Sequence, residues 1–240
     1  MKQQNGNVLF LILIAVALFA ALSYAVTQSS RSGGDGVSKD KAKLTASQII
    51  QYATHVEQAI SRMKLINRCT DTQIDFRNNF VAGYENPSSQ SANRCEVFHP
   101  NGGGIQWQEA PKNATTNNND WVFNGSNTVT NIGTGGQNTT SPTCPGGPAG
   151  SCAELVMILS NLDKSLCLEI NKKLGVGERS AGEPPKDNTN AEVIAKFIGT
   201  YAETFAIATP LLYGVSTGCF EGDAIPASGT YHFYHVLIAR

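Results

Sequence analysis

Gly214-Val-Ser216-Thr-Gly218 has the spacing of a nucleophile elbow, where a tight turn lifts a serine hydroxyl clear for attack on an acyl carbon. That chemistry needs a helix directly after the serine and a base brought from far along the chain. Here Cys219-Phe-Glu-Gly-Asp223 follows, only 24 residues remain, and His232 and His235 are the only later histidines. Those two also suggest a metal, but residues three apart on a strand face opposite sides. His99-Pro-Asn-Gly-Gly-Gly104 has the glycines of a phosphate loop without the Lys-Ser/Thr that ends one. Glu183, Asp187 and Glu192 lack the spacing of a calcium loop. Trp107, Trp121 and Tyr84 would make either a glycan platform or core packing, and packing is the favoured use. The expectation is no enzyme, no cofactor, no metal and no small-molecule substrate.

The cysteines are the stronger signal. Cys69, Cys95, Cys144, Cys152, Cys167 and Cys219 are even in number, and none forms a Cys-x-x-Cys pair. Zinc ribbons and thioredoxin-like sites therefore lack their spacing, and disulfides in an oxidising compartment are predicted. Pro145 to Gly150 can turn the chain back, which suggests Cys144–Cys152 and leaves Cys69–Cys95 and Cys167–Cys219. A modest core interrupted by a long polar stretch would need such cross-links.

The formal charge of -1 excludes a generally basic nucleic-acid binder and an acidic disordered chain. Charged residues make up 15%, against about 25% in an average protein. The apolar residues concentrate at one end. Val8 to Val26 is uncharged and apolar except for Ser23, and as a helix would span about 28 Å, close to a bilayer core of ~30 Å. A transmembrane helix over 7–27 is the expectation, with cleavage after Ala25 as a signal peptide the competing reading. Arg31, Lys39, Lys41 and Lys43 outnumber Lys2 and would place the large domain inside. The cysteines place it outside, periplasmic or extracellular, and the expectation follows them.

A short leader with one basic residue, Lys2, ends in Gly6, and the apolar helix begins at once. This resembles type IV prepilins and the pseudopilins of type II secretion. The resemblance covers roughly the first 65 residues. It implies cleavage between Gly6 and Asn7, a leader over 1–6, and an apolar helix that becomes the core of a filament. The family usually carries Phe or Met after the cut and Glu fifth; Asn7 and Leu11 stand there in this chain.

The remaining elements follow from periodicity. Gln28 to Gly36 is rich in Ser and Gly and reads as a linker over 28–44, a further departure from the unbroken pilin helix. Thr45-x-x-Gln48 offers a capping box, and Ile49, Ala53, Val56, Ile60 and Met63 form one apolar, core-facing stripe on a helix over about 45–67. In the insert over 101–150, Asn, Gly and Thr supply more than half of the positions. Within it, Trp121 to Phe123, the turn Asn124-Gly125, and Ser126 to Ile132 read as a hairpin. Asn113, Asn124 and Asn138 begin glycosylation sequons, read as chance in so Asn/Thr-rich a stretch. Ser151-x-x-Glu154 followed by Leu155, Leu159, Leu162, Leu166 and Ile170 predicts a helix stopped by Gly175. A shorter helix is expected near 190–199, starting at Thr189 and Glu192. Tyr231 to Ile238 reads as a strand pairing with the stretch from Leu211 to Phe220.

The resulting expectation is an α+β protein. It has one transmembrane helix and a disulfide-stabilised domain over 45–240 with helices and a small antiparallel sheet. Its expected function is that of a pilin-like or pseudopilin-like structural subunit. It would partner the membrane and itself or other pilin-like subunits through the small-residue spacing of Ala17 and Ala21, and not nucleic acid. The rival expectation is a monomeric anchored binding module, adhesin-like or receptor-like, using the surface over 84–140.

Overall fold

The computed structural model describes residues 6–133, 152–187, 189–202 and 204–240. The chain divides into two compact units, Met1–Ala42 and Lys43–Arg240.

The first element is one helix, α1, Gly6–Ile66. It runs without a break through residues 28–44, where a linker was expected, and Thr45 begins nothing. Once a helix is nucleated each added residue gains a hydrogen bond. Ser and Gly cost about 1 kcal/mol or less each against Ala, and no proline occurs before Pro87. The helix ends at a shared carbonyl. Asn67 N–H and Cys69 N–H both bond Met63 O, and Arg68 takes the left-handed conformation, φ 57°, usually left to glycine.

The expected membrane anchor is corrected. Among the described residues no helix is long and apolar enough to cross a membrane. The single-pass topology and the membrane localisation with its periplasmic or extracellular domain fall with that finding.

In the second unit, a five-stranded sheet has the order β3-β1-β2-β5-β4. Its strands are β1, Val122–Val129; β2, Glu154–Leu162; β3, Phe205–Ile207; β4, Thr217–Glu221; and β5, Tyr231–Ile238. A second helix, α2, Lys164–Leu174, follows β2 and stops where Gly175 adopts φ 74°. The sheet is mixed rather than antiparallel, because β3 pairs parallel with β1. β2, antiparallel to β1, carries the chain back toward the end from which β1 and β3 both start.

Both faces of the sheet are covered. Ile49, Ala53, Val56, Ile60 and Met63 of α1 are fully buried, in one cluster with Leu155, Met157, Leu159 and Phe233. Val156, Ile158, Tyr234 and Val236 join Val129, Ile207 and Phe220 in a second cluster. This two-sided burial explains why the expected helix over 151–174 is a strand followed by a helix. A central strand apolar on both faces carries Leu155 and Leu159 four apart, the spacing of a helix stripe.

The expected hairpin at Asn124-Gly125 is one continuous strand with a bulge between Asn124 and Asn127. The Asn124 side chain fills the bulge, donating to Ala195 O and accepting from Ser126 N–H and the Asn127 amide. Gly125 admits the Phe197 ring: a Cβ there would lie 2.7 Å from Phe197 Cδ2. The helix expected near 190–199 is irregular chain. Its backbone donors are spent elsewhere, with Ala191 N–H on Ile225 O and Phe197 N–H on Phe123 O.

Disulfides join Cys69 to Cys95 and Cys167 to Cys219. Cys152 is also disulfide-bonded, and Cys144 lies outside the described residues.

Candidate functional site

The most unusual surface belongs to the first unit. Phe10, Ile12, Leu13, Ile14, Val16, Leu18 and Phe19 are all exposed, Phe19 by 72%. At 3.6 residues per turn they fall on every side of α1. A helix apolar all round is built to be covered. Ala17 and Ala21, also exposed, lie one turn apart and leave a shallow strip where a second helix can approach closely. Gly6 is the first residue of α1 and Asn7 the second; residues 1–5 of the expected leader lie outside the described residues.

Within the second unit, α1 is held to the sheet by a polar chain that the sequence did not disclose. Glu57 Oε2 of α1 lies 3.0 Å from His235 Nε2 of β5, and His235 Nδ1 lies 2.6 Å from Thr217 Oγ1 of β4. Burial pushes the His235 pKa down, and the Glu57 carboxylate partly restores it. A hydroxyl, an imidazole and a carboxylate in line resemble a catalytic relay. However, Thr217 is buried against β5, so the arrangement serves as a clamp. Three single residues on distant elements left no sequence signal.

The tempting motifs resolve into structure. Ser216 leads into β4, not a helix, and its carbonyl accepts Val236 N–H. His232 lies on the opposite face of β5 from His235, beside Phe220 with ring centroids 5.5 Å apart. Burial lowers its pKa to about 4. In the loop after His99, the amides of Gly102 and Gly104 go to His99 O and that of Gly103 to Glu96 O, leaving none of the three for a phosphate. Glu183 pairs with Lys164 and Arg179, Asp187 Oδ1 caps Thr189, and Glu192 accepts Ile194 N–H, so the three acids do not converge. Among the described residues no group of three or more acidic, His or Cys side chains is placed to hold a metal. Of the sequons, Asn124 is buried, Asn113 is exposed and Asn138 lies outside the described residues.

Trp121 and Tyr84 are core residues. The Tyr84 hydroxyl bonds Trp121 O and Phe123 N–H, and Trp121 Nε1–H bonds Gln108 O. Trp107 differs: it lines a groove of about 340 Å³ with Phe80, Phe98, Arg77, His99 and Gln106. Arg77 lies 3.4 Å from Asp75 and 3.7 Å from Glu96. Burial raises the pKa of both acids, and the Asp75 charge raises that of Glu96 further.

No protein-family model, curated protein or solved structure matches this chain.

Proposed function

We propose that this protein is a non-enzymatic structural subunit, pilin-like or pseudopilin-like, that assembles through its N-terminal helix against the same helix of further copies. The observation that carries the reading is the exposed apolar girdle from Phe10 to Phe19. Large apolar side chains on all sides call for several helical neighbours. Copies of the same segment supply matching length and composition, and Ala17 and Ala21 supply a line of close approach. The uninterrupted course of α1, Gly6–Ile66, also supports the resemblance, because the Ser/Gly linker had been a departure from the family pattern. In the second unit, residues 46–63 of the same helix are built into a core closed by disulfides.

The test is Ala17→Leu with Ala21→Leu in the full chain. Both changes keep the segment apolar and helical while filling the strip. Crosslinking of the unaltered protein should yield a ladder of oligomers, and the double variant should run as monomer at equal expression. An unchanged ladder, or monomer alone from the unaltered protein, would overturn the proposal. The second result is the one a monomeric binding module requires.

A further inference from the structure

The groove beside Trp107 is independent of the assembly helix, and its chemistry is specific. Its wall is aromatic and apolar, with Phe80, Phe98 and Ile105 beside the indole. Phe80 is 68% exposed, a large apolar side chain left at the rim of a concave site. Trp107 itself is held by edge-to-face contacts with Phe98 and Phe123, at 5.2 and 6.3 Å between centroids. Its Nε1–H is buried and has no partner among the described residues.

The polar groups around it divide into spent and unspent. Asn78 is spent: its carbonyl caps Phe80 and Val81, and its amide bonds Phe76 O. The Asn79 and Gln106 amides are exposed, with no partner among the described residues, and each offers two donors and an acceptor. His99 Nδ1 accepts Asn101 N–H, so in the neutral ring the proton sits on Nε2. One guanidinium faces two carboxylates here. The only Lys or Arg lining the groove is Arg77, already shared between Asp75 and Glu96.

We infer that this groove binds a neutral saccharide, one or two pyranose rings, with the Phe80 ring against an apolar C–H face and the hydroxyls on Gln106, Asn79 and His99. Each feature selects for that class. A purely apolar ligand would leave the two exposed amides unused. An anion would meet Glu96 beside an arginine already neutralised. A sugar hydroxyl is donor and acceptor at once, which suits amides presenting both. The volume lies at the lower end of the range for small-molecule sites, about 300–1,000 Å³.

The experiment is titration of the full-length chain with cellobiose, lactose, a mannose disaccharide and N,N′-diacetylchitobiose, with inorganic phosphate and a capped tetrapeptide as controls. Binding is read by tryptophan emission and calorimetry. The chain has only two tryptophans, and Trp121 is sealed in the core, so an emission change reports on Trp107. At least one disaccharide should give a saturable response. Phe80→Ala and Gln106→Ala, both at exposed positions, should each weaken it by about tenfold at unchanged Tm. No saturable response to any sugar, a response to phosphate or peptide alone, or equal binding by both variants would overturn the inference.

Discussion

Replacing Asn171 should expose how α2 is fastened to the sheet. β4 is an edge strand, and the backbone of Cys219 faces away from β5. Asn171, 1% exposed on α2, meets it with both ends of its amide. Nδ2–H donates to Cys219 O and Oδ1 accepts Cys219 N–H, each at 2.8 Å. Asn171→Ala leaves one buried donor and one buried acceptor unpaired, at about 1–3 kcal/mol each. The Cys167–Cys219 bridge holds α2 against β4, so the helix cannot swing out to admit water. We expect a loss of about 3 kcal/mol, or roughly 6–12 °C in Tm for a domain of this size. Asn171→Asp keeps the acceptor and turns the donor into a carboxylate against a carbonyl. Its folded pKa would then exceed the unfolded value of about 3.9. Stability contributed by such a group is present below the unfolded value and lost as pH rises through the folded one, so the Asp penalty should shrink as pH falls from 7 to 4. Urea unfolding of both variants at the two pH values is the assay. A loss below about 1 kcal/mol for the Ala variant, or a pH-independent Asp penalty, would refute the reasoning.

Two further outcomes follow from close contacts. Gly125→Ala forces a methyl against Phe197 Cδ2 and Cε2 at 2.7 and 3.0 Å, and should cost about 1–3 kcal/mol by denaturant midpoint, with part recovered when Phe197→Leu is added. His232 is held neutral, with its pKa lowered to about 4 against an unfolded value near 6.5, so its contribution is complete above the unfolded value and lost as pH falls through that window. His232→Phe should therefore lose less Tm than the unaltered protein between pH 7 and pH 4.5.

What the sequence disclosed, and what it hid, has physical causes. The stripe from Ile49 to Met63 was legible because an element packed on one side shows its period. β2 was not, because covering on both faces erases the alternation that marks a strand, and Ser151-x-x-Glu154 imitated a helix start. Asn124-Gly125 was read as a turn from local propensity, yet Asn124 serves tertiary contacts with Ala195 and Asn127. The groove was legible only through Trp107. Phe80 and Gln106 carry no motif, and Trp121 and Tyr84 differ from Trp107 only in burial, which spacing does not report. The Glu57–His235–Thr217 clamp joins positions 178 and 18 residues apart and could come only from the fold.

The central claim, assembly through α1, is tested most directly by a single added thiol. No described cysteine is free, so Ala17→Cys introduces a distinct reporter on the close-approach strip. Disulfide formation needs the two Cα atoms within about 4.4–6.8 Å. Under mild oxidation the Ala17→Cys chain should convert rapidly to a covalent dimer. Ile194→Cys, at a position 75% exposed in the second unit, should stay monomeric. Crosslinking of Ala17→Cys no faster than that of Ile194→Cys would contradict the account.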